Sequence, residues 1–208
     1  VFLIYILFIG QLIYGCNRMK RFSKKEFTPK TSFTIVVPFR NEKENLPNLL
    51  HSISLLNYPK ELVEIILVDD DSEEVFGVQD LVFSLKVIKN DRKSNSPKKD
   101  AIETAIQVAK NDWIITTDAD CLIQKDWLTT FDQYIQENEV EMVASGVCYV
   151  PKSGFLSAFQ NLDFLSLQGA TIGSFGINQP FMCNGANFAY SKQFFKRLNG
   201  FQGNETIA

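Results

Sequence analysis

The sequence predicts an α/β fold, a mainly parallel sheet flanked by helices on both faces. Three observations predict it. Short runs rich in β-branched residues alternate with stretches of helical periodicity between residues 33 and 150. The runs are apolar along their length, as buried strands are. Three of them end on polar or acidic residues, in PFRNE (38–42), VDDDS (68–72) and TTDAD (116–120), at the edge where parallel sheets bind ligands.

In order, the chain opens on VFLIYILFIGQLIY (1–14), which carries no formal charge. As a helix this stretch covers roughly 20 Å of the ~30 Å hydrocarbon core of a bilayer. The first residue is Val rather than Met, so the stretch reads as the remainder of a longer transmembrane helix. Arg18, Lys20, Arg21, Lys24 and Lys25 follow, a basic flank that the positive-inside rule places on the cytoplasmic side of a membrane. A signal peptide with Gly15 and Cys16 at a cleavage site is the rival reading. Residues 1–21 are thus expected to form a truncated transmembrane helix and its flank, 22–32 a polar linker with Pro29, and 33–208 the main domain.

Within that domain SFTIVVP (32–38) reads as a buried strand, and Leu46, Leu49, Leu50, Ile53 and Leu56 follow at helical spacing. Pro47 fits only a first turn, so this helix begins near Asn45. EIILVDD (64–70) is the second strand, and LVFSLKVIKN (81–90) contains a third. In SPKKDAIETAIQVAK, Ser96 stands at an N-cap and Pro97 at the first helical position, with Ala101, Ile102, Ala105, Ile106 and Ala109 as the apolar stripe. DWIITTD (112–118) is the fourth strand, DWLTTFDQYIQ (126–136) a helix, and VEMVASGVCYV (140–150) a strand. Phe155, Leu156, Phe159, Leu162, Phe164 and Leu165 suit a further helix that is partly core and partly interfacial; its sparse charge favours core packing.

A net charge of −3 and a pI near 5.3 give no electrostatic argument for nucleic acid as a partner, which wants a clearly basic face; none is expected. Cys16, Cys121, Cys148 and Cys183 show no CxxC pair, so neither a zinc site nor a disulfide framework is expected and the thiols read as small buried hydrophobes. His51, the single histidine, falls in mid-helix and leaves no Ser-His-Asp arrangement to build.

If the sheet is parallel, Asp69, Asp70, Asp71, Asp118 and Asp120 crowd toward one crevice. Were the extended conformation to persist that far, alternation would place Asp118 and Asp120 on one face. Two such charges about 5 Å apart repel by roughly 3 kcal/mol at an effective dielectric of 20. A divalent cation, Mg²⁺ or Mn²⁺, converts that cost into a binding site and completes its shell with water and phosphate. Lys98 and Lys99 stand in a first helical turn, where the macrodipole disfavours cations and a phosphate would favour them. No GxGxxG and no GxxxxGK[ST] occurs, so a bound diphosphate depends on metal and side chains.

The ordered set FTIVVPFRNEKENLPNLLHSI, EIILVDDDSEE, PKKDAIETAI, WIITTDADC and FMCNGANFAYSKQFF, over residues 32 to 201, resembles the family 2 glycosyltransferases. The resemblance implies a Rossmann-like GT-A fold and the inverting transfer of a sugar from a nucleotide-diphospho-sugar, with UDP the expected nucleotide, to a saccharide or lipid acceptor at a membrane. It implies that Pro38, Arg40 and Glu42 border the nucleotide, that Asp70 contacts the base, and that Lys98, or Lys99, lies near the diphosphate. Asp118 and Asp120 match the family's DxD motif, with Asp120 the direct metal ligand, and Asn184 and Gly185 the loop beside the donor sugar and acceptor. Asp71 stands where many relatives have Gly. The family's general base belongs to an acidic motif expected beyond Ala208; Glu205 does not fit it. Two other readings stand beside this one: a phosphatase of the haloacid dehalogenase type with Asp118 as nucleophile, and a non-catalytic membrane-tethered nucleotide-binding module.

Overall fold

The computed structural model describes residues 2–20, 22–73, 77 and 83–203. Arg21 of the basic flank, Leu81 and Val82 at the head of the third strand run, and Glu205 lie outside the described residues. In chain order the elements are α1 (Phe2–Arg18), β1 (Phe33–Phe39), α2 (Leu46–Ser54), β2 (Val63–Asp69), β3 (Ser84–Lys89), α3 (Pro97–Val108), β4 (Trp113–Thr116), α4 (Trp127–Glu137), β5 (Met142–Ala144), α5 (Phe155–Gly176), β6 (Phe188–Ser191) and α6 (Lys192–Arg197). They fall into two units, one of residues 24–143 and 185–208, the other of 1–23 and 144–184.

The larger unit is built on one sheet of order β3-β2-β1-β4-β6-β5. β3, β2, β1 and β4 run parallel, and β6 returns antiparallel to β4. Alternation along β1 sends Phe33, Ile35, Val37 and Phe39 to one face, against Leu46, Leu49 and Ile53 of α2 and Leu128 and Phe131 of α4. Val36, with Ile66 and Val68 of β2, faces the other way, against Ala101, Ile102, Ala105 and Ile106 of α3. The two-faced core is therefore the direct product of the apolar runs. Each fully buried Leu or Ile in it contributes about 1.5–3 kcal/mol relative to exposure.

Three local expectations change. The fourth strand stops at Thr116, two residues before Asp118. The fifth, expected over 140–150, keeps only Met142–Ala144 in the sheet. The linker has no regular structure but is strapped along α4. Asp132, fully buried, accepts the Lys30 and Thr31 amides at 2.9 and 3.3 Å, and the Tyr58 hydroxyl lies 2.7 Å away. Gln133 accepts the Lys25 amide at 3.1 Å, and Lys24 pairs with Asp126 at 2.7 Å.

The smaller unit pairs α1 with α5 through glycine. A Cβ on Gly173 would lie 2.3 Å from the Leu12 carbonyl oxygen, and one on Gly15 2.0 Å from that of Gly173. The helices thus touch backbone to backbone, as small residues permit in membrane helix pairs. The core role expected for the α5 apolar residues is not met: Phe155, Leu156, Phe159, Leu162 and Leu165 are exposed, and only Gly173 and Ser174 are buried. A helix forms where a transmembrane helix was expected, but α1 has 17 residues, and among the described residues no helix is long and apolar enough to cross a membrane. The cysteines are free, as expected, but partly or fully exposed rather than buried.

Candidate functional site

Parallel pairing in the order β3-β2-β1-β4 brings the carboxyl ends of four strands to one edge. The site residues in the larger unit arise there, in the turns that leave each strand.

β1 hands over to Arg40, Asn41 and Glu42. Pro38, which lacks an N–H, lies past the last β1–β4 pair, Val36 with Thr116, so that ladder loses nothing. Asn41 adopts a left-handed φ of 57° and Asp71, after β2, one of 65°. Asn and Asp tolerate this region better than other side chains, which explains how Asp71 fills a position suited to Gly. The two turns are laced together: the Asn41 amide donates to Ser72 Oγ at 3.0 Å and the Glu73 amide to Asn41 Oδ1 at 2.9 Å. Glu42 serves the next helix, accepting Asn45 Nδ2 at 2.7 Å through its carboxylate and the Leu46 amide at 3.0 Å through its carbonyl. These turns border an open pocket of about 720 Å³ lined by Phe39, Asn41, Glu42, Asn45, Ser72 and Glu73 among others. Neither Asp70, Lys98 nor Asp118 lines it.

Asp70 is buried and fully engaged. Arg92, in the loop after β3, grips it through Nε on Oδ1 and Nη2 on Oδ2, each at 2.6 Å. Asn90 Nδ2 donates to Oδ1 at 2.7 Å. The Arg92 hydrogen bonds hold the Asp70 carboxyl below its ordinary range against the opposing effect of burial, with help from Asn90 and the charges of Arg92 and Arg40. Bidentate pairing of this kind fixes orientation as well as charge. Sequence reading missed Arg92 and Asn90. The signal was present, since Asn90-Asp91-Arg92 is a polar strand end like the other three, but the place of β3 beside β2 was not readable.

The two lysines part company. Lys98 Nζ lies 2.6 Å from Asp118 Oδ1, whereas Lys99 Nζ stands over the Phe201 ring at 6.0 Å. Lys98 is thus the one directed at the acidic turn. Asp118 and Asp120 do not sit on a strand face, because β4 has ended; they occupy a turn in which the Cys121 amide donates to the Asp118 carbonyl at 3.1 Å. Asp118 is half-buried and Asp120 exposed. Among the described residues no group of three or more His, Cys, Asp and Glu side chains meets to hold a metal ion. Two carboxylates are nonetheless a fitting donor set for a hard cation that shares its shell with a diphosphate.

β6 brings the last segment to the same edge. Thr116 pairs with Phe188 in the antiparallel ladder, and the Thr116 hydroxyl donates to the Gly185 carbonyl at 2.5 Å. Trp127 Nε1 donates to Asn187 Oδ1 at 2.8 Å. Gly185 is therefore held at the end of β4; Asn184, the residue before it, closes the smaller unit.

The sequence pattern described as "Glycosyl transferase family 2" matches residues 34–198. The chain is 24% identical over 171 residues to poly-beta-1,6-N-acetyl-D-glucosamine synthase of Staphylococcus aureus, a match that covers 80% of this chain and 40% of that protein. It is 25% identical over 142 residues to glycosyltransferase AglE of Haloferax volcanii, covering 65% of this chain and 45% of that one. It thus spans less than half the length of these relatives. Among solved structures it resembles the mannosyltransferase PcManGT from Pyrobaculum calidifontis in complex with GDP-Man and Mn²⁺, with TM-score 0.61, 19% identity and coverage of 93% and 56% of the two chains. S. aureus TarS 1–349 in complex with UDP-GlcNAc follows, with TM-score 0.54, 20% identity and coverage of 81% and 48%. At these identities the likeness speaks for the fold, a mixed α/β sheet with helices like that of the GT-A glycosyltransferases.

Proposed function

The chain belongs to glycosyl transferase family 2, and from that premise we propose that it acts in the inverting transfer of a sugar from a nucleotide-diphospho-sugar to a hydroxyl of a saccharide or lipid-linked acceptor. The observation that carries this reading is that two cation–carboxylate pairs, Arg92 with Asp70 and Lys98 with Asp118, stand at the carboxyl ends of strands of one parallel sheet, offering cations to a diphosphate and carboxylates to its metal. Structural neighbours solved with UDP-GlcNAc and with GDP-Man and Mn²⁺ support a nucleotide-sugar donor; UDP is the nucleotide of this proposal.

In this mechanism Arg40, Asp70 and Arg92 bind and orient the nucleoside end. The acceptor hydroxyl attacks the anomeric carbon as the bond to the diphosphate breaks, and Lys98 stabilises the charge that develops on the departing phosphate. Asp118 and Asp120 would hold a divalent cation, Mg²⁺ or Mn²⁺, which when bound supplies further positive charge to the leaving group. Asp70, held below the usual carboxylate range and gripped by Arg92, is a poor proton acceptor, so the general base is a different group. Gly185 borders the donor sugar in this reading. The phosphatase alternative loses its support, since Asp118 follows the fourth strand of a chain that the family pattern matches from residue 34 to 198.

A membrane location, with the larger unit on the cytoplasmic side, belongs to the same proposal. It is supported by the exposed apolar residues of α1 and α5, Phe2 at 78% and Phe155 at 87% exposure, and by the basic residues that follow α1. Flotation of the full-length protein with anionic lipid vesicles tests this part.

For the transfer itself, the full-length protein is assayed for nucleoside diphosphate release over a panel of UDP- and GDP-sugars, with and without EDTA. The expected result is donor turnover that EDTA and Asp120→Ala both abolish. Turnover indifferent to both would sink the metal assignment, and no turnover with any nucleotide sugar would sink the transferase.

A further inference from the structure

The segment that carries Arg92 and Lys98 also carries an acidic group that the mechanism above does not use. Asp100, in the first turn of α3, is only 5% exposed. Its Oδ2 accepts the amides of Lys93 at 2.9 Å and Ser94 at 2.8 Å, and its Oδ1 accepts the Ser94 hydroxyl at 2.9 Å. Ser94 Oγ in turn accepts the Ser96 amide at 3.0 Å. One buried carboxylate therefore folds the loop after β3 back onto the start of α3.

The two ends of that fold are the two site cations. Arg92, whose guanidinium grips Asp70, immediately precedes the amides that Asp100 holds. Lys98, whose ammonium pairs with Asp118, lies two residues before Asp100 in the same helical turn. A second strut runs alongside: Asn90 Nδ2 donates both to Asp70 Oδ1 at 2.7 Å and to the Pro97 carbonyl at 2.9 Å. An exposed arginine on an untethered loop samples many rotamers, and holding it in one bidentate geometry costs side-chain entropy at each binding event. Fixing its backbone beforehand removes part of that cost. Burial alone opposes the Asp100 charge, and the donors from Ser94 and Lys93 more than offset it, so the carboxyl is held below its ordinary value.

We propose that Asp100 is a positioning residue that sets Arg92 for nucleotide binding through the loop amides of Lys93 and Ser94. The proposal rests on the reading of this edge as a nucleotide site. The test is a double-mutant cycle on the full-length protein, with binding of UDP in the presence of MgCl₂ measured by calorimetry and folding checked by thermal melts. Asp100→Asn keeps the shape but replaces one acceptor oxygen by a donor amide, and about a tenfold loss of UDP affinity is expected from the broken charge-assisted bonds. Arg92→Ala weakens UDP binding on its own, and adding Asp100→Asn to it is expected to cost nothing more, because Asp100 acts only through Arg92. A purely structural Asp100 lowers the melting temperature but gives additive losses or none, and either result overturns the proposal. Should Asp100→Asn not fold, Ser94→Ala carries the same cycle with a smaller loss. Absence of UDP and GDP binding by the unmutated protein overturns the nucleotide-site reading and this proposal together, whereas wild-type binding with additive losses overturns this proposal alone.

Discussion

Arg92 and Asp70 meet in a two-pronged pair, Nε to Oδ1 and Nη2 to Oδ2 at 2.6 Å each, which ties the loop after β3 to the end of β2. The pair makes stability depend on pH in a definite direction. The unfolded chain protonates Asp70 near its ordinary value of 3.8, and the folded chain holds out to lower pH. The contribution is therefore complete above that value and is lost as pH falls through the folded pKa. Asp70→Asn is expected to lower stability at neutral pH by about 1–2 kcal/mol, discounting for the half-exposed arginine, and to lose less on acidification than the parent. Urea unfolding at neutral pH and near pH 3 measures both. Equal losses in parent and variant would mean that the pair is not formed in solution.

Lys98 and Lys99 are neighbours in sequence with different assignments in space, one on Asp118 and the other over Phe201. If Lys98 stabilises the leaving diphosphate, Lys98→Met lowers kcat by about a hundredfold or more with a smaller effect on donor KM. Lys99→Met leaves kcat within a few-fold. Steady-state kinetics on the two variants decide between them, and equal damage from both would refute the assignment to Lys98.

Tyr190 is 4% exposed, stacks on Phe195 with ring centres 5.5 Å apart, and has a hydroxyl with no hydrogen-bond partner among the described residues. Burial pushes its pKa up, and the charge of Glu103 adds to this. A buried polar group without a partner costs about 1–3 kcal/mol. Tyr190→Phe keeps the ring and removes that cost, so its melting temperature is expected to equal or exceed the parent's. A clear drop would reveal a partner for the hydroxyl.

Gly173 and Gly169 make a matched pair on α5. A Cβ at Gly173 meets the Leu12 backbone at 2.3 Å, whereas one at Gly169 meets nothing within 4 Å. Gly173→Ala is expected to push α1 from α5 at a cost of about 1–3 kcal/mol, and Gly169→Ala to be neutral or stabilising by up to about 1 kcal/mol through helix propensity. Hydrogen exchange reads this locally: protection in α1 and α5 falls in the first variant while the sheet strands keep theirs.

The order of strands and helices from β1 to α5, the start of α2 near Asn45 and of α3 at Pro97, and the placing of helices on both faces of the sheet were legible in the amino-acid sequence. Each follows from a period along the chain, two for a strand and 3.6 for a helix, and from the fixed backbone of proline. The acidic strand ends were legible for the same reason, as were Asp70, Lys98, Asp118 and Asp120 as site candidates. What the tertiary structure alone decided is which of these groups meet. Placing β3 beside β2 gave Asp70 its arginine, and ending β4 at Thr116 moved Asp118 and Asp120 from a strand face into a turn. Such choices depend on register between segments far apart in sequence, so no local period encodes them. The exposed apolar residues of α5 show the same limit: helical spacing marked them as able to pack, and only the fold shows that glycine rather than leucine makes the contact with α1.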